Sequence, residues 1–150
     1  MHRLLRFTCA LVACTGLLAA TGCGSSSSSP SSASPEPAYS QIDLQVGTGA
    51  AAAAGNSVTV NYTGWLYDST KTDSKGTQFD SSLSPGRQPY VFAVGSTSTI
   101  QGFSQGVTGM RVGGTRRVVM PSSLAYGAQG SGSIPPYTPL VFEITLLNVQ

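Results

Sequence analysis

The sequence is poor in charge. Lys, Arg, Asp and Glu together make up 9% of its 150 residues, against roughly a quarter in an average soluble protein. It holds one histidine, three cysteines and one tryptophan. His2, Cys9 and Cys14 all lie within or before an apolar run near the N-terminus, as do Arg3 and Arg6. Without that run the chain has no histidine and a single cysteine, Cys23. Ser–His and Cys–His nucleophilic pairs are then excluded, as are Cys/His metal centres and an internal disulfide. The chemistry has to proceed without imidazole, and no metal or cofactor is expected. The formal charge of +2 disappears with Arg3 and Arg6, because six remaining basic residues balance six acidic ones. A neutral chain argues against nucleic acid as a partner, since that binding rests on neutralised phosphates.

Eighteen glycines and nine prolines point to many turns. The length suits one ordinary domain after a leader. Residues 1–22 read as a signal peptide: Arg3 and Arg6 form its basic start, and residues 8–21 its apolar stretch. That stretch is shorter than the roughly 20 residues needed to span a membrane. It closes on Ala19-Ala20-Thr21-Gly22-Cys23, which resembles a bacterial lipobox. The expectation is a lipid on Cys23 and a location outside the cytoplasm, on the cell envelope. Residues 24–37 hold eight serines and three prolines. They cannot bury a core, and 23–38 reads as an unstructured tether. Its flexible reach is roughly 20 Å.

Residues 39–150 read as the folded domain. Ser57 to Thr63 alternates strictly, with Val58, Val60 and Tyr62 on one face, as a half-buried strand does. Tyr90–Val94, Thr115–Met120 and Leu140–Val149 are further strands, and a short one is expected at Ile42–Val46. Ile100, Phe103, Val107 and Met110 recur with helical spacing. Thr97, Ser98 and Thr99 are available as caps, and Gly113-Gly114 as a stop. Ala50–Ala54, five residues between glycines, is too short for a helix of its own and reads as a loop. The class expected is α+β, an antiparallel five- to six-stranded sheet wrapped around one short helix. Arg116-Arg117 reads as a solvated face.

Several segments in fixed order carry a resemblance. They are Val60-Asn61-Tyr62-Thr63-Gly64-Trp65-Leu66, Phe79-Asp80-Ser81-Ser82, Pro89 to Gly95, Ile100-Gln101-Gly102-Phe103 and Met110-Arg111-Val112-Gly113. Leu124-Ala125-Tyr126-Gly127, Ile134-Pro135-Pro136 and Leu140 to Ile144 continue it. Over nearly all of residues 41–150 the chain resembles the FKBP-type peptidyl-prolyl cis–trans isomerases. The resemblance implies a pocket for proline. Tyr62, Asp80 and Tyr126 match its catalytic positions. Phe79, Tyr90, Phe92, Ile100, Phe103, Ile134 and Phe142 match its substrate-binding positions. It further implies that Phe103 is the floor, that the Ile100 N–H and the Tyr126 hydroxyl donate to peptide carbonyls, and that Asp80 sits at the rim beside Tyr62. The partners implied are proline-containing polypeptides and macrolide inhibitors, with the protein a monomer.

Two features depart from the family pattern. The floor is commonly Trp and is Phe103 here, and residues 67–78 exceed the usual short turn before Phe79-Asp80. The longer stretch reads as a surface insertion, with a specificity loop as its functional alternative. Rotation about an X–Pro bond breaks no bond to a heavy atom, so a histidine-free chain can catalyse it. The alternative from another class is a chaperone or adaptor module that holds proline peptides with little turnover.

Overall fold

The computed structural model describes residues 36–150. The stretch read as a signal peptide, Cys23 and the part of the expected tether up to residue 35 lie outside the described residues. Among the described residues, contacts with the fold start ahead of Tyr39, at Glu36, whose carboxylate accepts a hydrogen bond from the Ser122 N–H. Six strands follow: β1 (Ser40–Gln45), β2 (Ser57–Tyr67), β3 (Lys75–Ser81), β4 (Tyr90–Ala93), β5 (Thr115–Met120) and β6 (Leu140–Val149). One helix, α1 (Gln101–Val107), lies between β4 and β5. All strand pairs are antiparallel, in the order β1-β5-β6-β2-β3, with β4 also paired to β2.

The alternation read at Val58 and Val60 is core-facing, and both side chains are fully buried. In β6 the inward set is Phe142, Ile144 and Leu146. β5 sends in Val118 and Met120. Helix α1 covers this face, packed on β5 and β6. It comes very close because two of its positions lack side chains. A Cβ at Gly106 would lie 2.5 Å from Val118, and one at Gly102 would lie 2.7 Å from Met120. Glycine costs about 1 kcal/mol of helix propensity per site, which tertiary packing must offset.

The helix is shorter than its hydrophobic spacing suggested. Ile100 is its N-cap, with extended backbone and no side-chain cap hydrogen bond, so Thr97, Ser98 and Thr99 do not cap it. It stops at Val107 rather than at Gly113-Gly114. Gly109, at φ +78°, turns the chain there, leaving Met110 buried beyond the helix. β1 runs from Ser40 rather than Ile42 and ends before Val46, with an irregularity between Asp43 and Gln45. Its polar first residues pair through backbone, which hydropathy does not register. The stretch 67–78 is only partly a loop. β2 extends to Tyr67 and β3 starts at Lys75, so residues 68–74 alone form the turn.

Arg116 is not on a solvated face. It is 8% exposed and forks onto Asp43, with Nε to Oδ1 at 2.5 Å and Nη2 to Oδ2 at 3.1 Å. Its Nη1 donates to the Gly106 carbonyl at 2.9 Å and the Thr108 carbonyl at 3.1 Å. One guanidinium thus ties β1, β5 and the end of α1, where free carbonyls favour a cation. Arg117 points outward, as alternation demands, and pairs with Glu143 at 2.8 Å. Glu143 also binds Lys75 at 3.1 Å, whose ammonium lies 4.7 Å from the Trp65 ring centroid.

Arg116→Ala is expected to destabilise the domain by about 2–3 kcal/mol, the range for hydrogen bonds to a charged group. The hydrogen bond from Arg116 holds the Asp43 carboxyl below the usual carboxylate range. A depressed folded pKa gives stability that is present above the ordinary value near 4. That stability is lost as the pH falls through the depressed one. Urea midpoints between pH 2 and 6 should therefore fall less steeply in Arg116→Ala than in the wild type.

Candidate functional site

The free edge of β2 is shared by two partners, and the site opens where they part. Val60 pairs with Tyr90 of β4, and Thr63 pairs with Ser81 of β3. Asn61 and Tyr62 lie between, and Ser82 fills the gap. The Tyr62 N–H donates to Ser82 Oγ at 2.9 Å, and the Ser82 N–H donates to the Tyr62 carbonyl at 3.0 Å. Ser82 Oγ in turn donates to Asn61 Oδ1 at 3.0 Å. Ser81 and Ser82 are therefore buried polar residues with partners, and the side chain of Tyr62 is left facing a cavity.

The cavity has a volume of about 430 Å³. Phe103 of α1 lies at its base, 3% exposed. The Tyr62 ring meets it edge-on at 5.6 Å and 85°, and the Phe142 ring at 5.1 Å and 84°. Phe79 stands edge-on to Phe142 at 5.6 Å. These T-shaped pairs suit the quadrupoles of aromatic rings. Tyr90, Ile100, Asp80 and Tyr126 add to the lining on the sides where β4, the chain before α1, β3 and the 125–127 loop meet.

Eight of the ten positions read from the resemblance thus come together, counting Tyr62, Phe79, Asp80, Tyr90, Ile100, Phe103, Tyr126 and Phe142. Phe92 and Ile134 do not line the cavity. Phe92 is 5% exposed and lies behind it, stacked on Tyr90 at 5.3 Å and 5.6 Å from Phe103. Ile134, 6% exposed, is turned into the core by a tight turn in which Ser131 and Ile134 exchange backbone hydrogen bonds. Phe92 packs against lining residues, and Ile134 belongs to the buried core.

Asp80 organises the rim. Its Oδ2 accepts the Tyr62 hydroxyl at 2.6 Å, and its Oδ1 accepts the Ser81 N–H at 2.9 Å. Arg87 Nη2 adds contacts of 2.9 and 3.1 Å to the two oxygens. Asp80 is therefore both the turn-capping residue and the partner of Tyr62. Burial pushes the Tyr62 phenol up to about 12, helped by the Asp80 acceptor and opposed by Arg87. Burial also raises the Tyr126 phenol, with the Asp80 and Tyr90 charges adding to it.

Sequence reading missed Arg87, which reaches Asp80 across the turn after β3 and carries no motif signal. It also read Thr97, Ser98 and Thr99 as caps, whereas all three line the cavity. The Tyr90 hydroxyl donates to the Ser98 carbonyl at 3.2 Å, and the Gly95 N–H donates to Ser104 Oγ at 2.7 Å. These bonds hold the loop against α1. Among the donors at the cavity, the Ile100 N–H and the Tyr126 hydroxyl have no hydrogen-bond partner among the described residues, and neither do the Thr97 and Thr99 hydroxyls. No cluster of potential metal ligands occurs among the described residues.

Gly64 leaves room for the two wall rings. A Cβ there would lie 2.6 Å from Phe79 Cζ and 2.7 Å from Phe142 Cε1. Gly64→Ala should push both rings toward the cavity at about 1–3 kcal/mol of overpacking. We expect a lower denaturation midpoint together with weaker binding of a proline peptide, read by titration calorimetry.

Comparison with known proteins agrees with this geometry. The family model for the FKBP-type peptidyl-prolyl cis-trans isomerase matches residues 49–147. An FK506-binding protein of Neisseria meningitidis serogroup C is 46% identical over 96 residues, covering 63% of this chain and 81% of that protein. The peptidyl-prolyl cis-trans isomerase FPR2 of Saccharomyces cerevisiae is 47% identical over 97 residues, covering 64% of this chain and 67% of that one. A crystal structure of a peptidyl-prolyl cis-trans isomerase from Pseudomonas syringae pv. tomato superposes with a TM-score of 0.60 at 39% identity, covering 75% of each chain. Fold, cavity and sequence agree, and the chain belongs to the FKBP-type peptidyl-prolyl cis–trans isomerase family.

Proposed function

We propose that this isomerase twists X–Pro bonds of exported polypeptides in the cavity above Phe103, from a lipid anchor on Cys23. The observation that carries the catalytic part is an aromatic cavity in which the Ile100 N–H and the Tyr126 hydroxyl have no partner among the described residues. Planar amide resonance sets a barrier of about 18–20 kcal/mol. The twisted transition state loses that resonance and its charge separation. Dry aromatic walls then favour it over the planar ground state. Tyr62, Phe103 and Phe142 hold the proline ring. The Ile100 N–H and the Tyr126 hydroxyl orient the peptide carbonyls. Asp80, held by Arg87, keeps the Tyr62 ring at the rim. Lowering the barrier by about 6 kcal/mol would accelerate rotation roughly 10⁴-fold. Macrolides of the kind that gives the meningococcal relative its name would compete for the same cavity.

The direct test is a protease-coupled isomerase assay on a proline tetrapeptide. Tyr126→Phe should lower kcat/KM about 5- to 30-fold, the cost of one hydrogen bond of about 1–2 kcal/mol. No proton passes to the substrate in this mechanism. With Tyr62 near 12 and Tyr126 raised, both phenols keep their protons through neutrality. The rate should be nearly flat from about pH 6 to 8.5. A bell-shaped profile centred near neutrality would mean that an acid–base pair is at work.

The anchor is supported by the short apolar leader, the small residues before Cys23 and the Ser/Pro tether behind it. One acyl chain binds membranes only marginally, so stable attachment needs more than one. Such a tether would present a monomeric domain to chains emerging at the envelope. Cys23→Ala should abolish palmitate labelling and release the protein or leave it unprocessed. Equal labelling of mutant and wild type would overturn the anchor.

A further inference from the structure

One carboxylate near the start of the described chain grips the turn that leads to Tyr126. Both Glu36 oxygens accept the Ser122 N–H, each at 3.1 Å. Ser122 is 5% exposed and begins the 3₁₀ turn Ser122–Leu124. Pro121 precedes it and provides no side-chain cap hydrogen bond. The Ser122 carbonyl accepts the Ala125 N–H at 2.9 Å and the Gly127 N–H at 2.8 Å. Those two residues flank Tyr126. The Gly127 carbonyl is in turn held by the Tyr137 N–H at 2.8 Å. Tyr126 is 36% exposed and its hydroxyl has no partner among the described residues, so its backbone sets where the hydroxyl sits. Glu36 therefore grips the same residue that grips both neighbours of Tyr126.

The local sequence favours this grip. Glu36 stands between Pro35 and Pro37. A residue before proline is confined to extended backbone, and proline fixes its own φ. Tyr39 then packs against the core, and its hydroxyl lies 3.4 Å from the Gly102 carbonyl of α1. The chain is thereby pinned again after the contact, before it enters β1.

We propose that Glu36 is a positioning residue for the isomerase, acting through Ser122 to hold the 125–127 loop and so the Tyr126 hydroxyl over the cavity. This rests on the role given above to Tyr126. It makes the segment joining tether to domain part of the substrate-binding apparatus.

A double-mutant cycle in the full-length protein tests it, with Glu36→Ala and Tyr126→Phe singly and together. Glu36→Ala should lower kcat/KM about two- to tenfold, the cost of one hydrogen bond. It should have little further effect once Tyr126 is Phe. Glu36→Gln keeps an acceptor and should stay within about twofold of wild type. Amide hydrogen exchange should quicken at residues 122–127 in Glu36→Ala, with β2 and β6 as protected as before. Additive losses from the two mutations would overturn the proposal, as would exchange at 122–127 that does not change. If Tyr126→Phe alone has no effect, the role of Tyr126 falls. The exchange data then still decide whether Glu36 orders the loop.

Discussion

The close approach of α1 to the sheet governs everything the site does. Phe103 can lie beneath a cavity only if its helix is pressed onto β5 and β6. Gly102 and Gly106 allow this because Val118 and Met120 already occupy the space a side chain would need. A seven-residue helix with two glycines would not form alone, since nucleation is costly. It persists because its residues are fixed from outside. Arg116 ties off its last carbonyls, and Ser104 Oγ accepts the Gly95 N–H of the preceding loop. The buried cation accordingly belongs to the architecture of the pocket floor, although it touches nothing in the cavity.

The second constraint is the division of β2 between β3 and β4. A continuous partner along that edge would cover Tyr62. Two short partners leave a gap at the position where its ring is needed. Such a gap would leave backbone groups of β2 unpaired and costly. Ser82 satisfies them with its own backbone and hydroxyl. The Phe79-Asp80-Ser81-Ser82 string is thus one device: a wall ring, an anchor for the Tyr62 hydroxyl, a strand end and a plug.

The parts legible in the sequence are those where side-chain polarity reports burial. Thr115–Met120 and Leu140–Val149 have the same bounds in the structure as in the sequence reading, because most of their inward residues are apolar, Arg116 being the exception. Motif order brought eight lining residues together. What escaped was set by backbone or by distant partners. β3 begins with Lys75-Gly76-Thr77-Gln78, a polar run that pairs through its main chain. Arg116 reads as solvated because its partners are Asp43, distant in sequence, and two carbonyls. Thr97 to Thr99 look like caps because hydroxyls before a helical pattern usually are, and here Ile100 takes that place. Phe92 and Ile134 share the motif with the lining residues but are separated from the cavity by Tyr90, Phe103 and a tight turn.

Isomerisation asks for shape and dryness rather than for reactive groups, which explains why so few charges suffice. The charged side chains near the cavity serve to fix aromatic ones: Arg87 holds Asp80, and Asp80 holds Tyr62. Glu36 stands in the same relation to Tyr126, one step further out through Ser122. Asp80 and Arg87 make their hydrogen bonds at the rim, partly in water, where desolvation costs little. The cavity itself stays apolar around Phe103. On the proposed reading, a rim with donors over an uncharged aromatic floor would orient one end of the substrate while its proline ring meets the floor. That separation is what a reaction driven by loss of amide polarity needs.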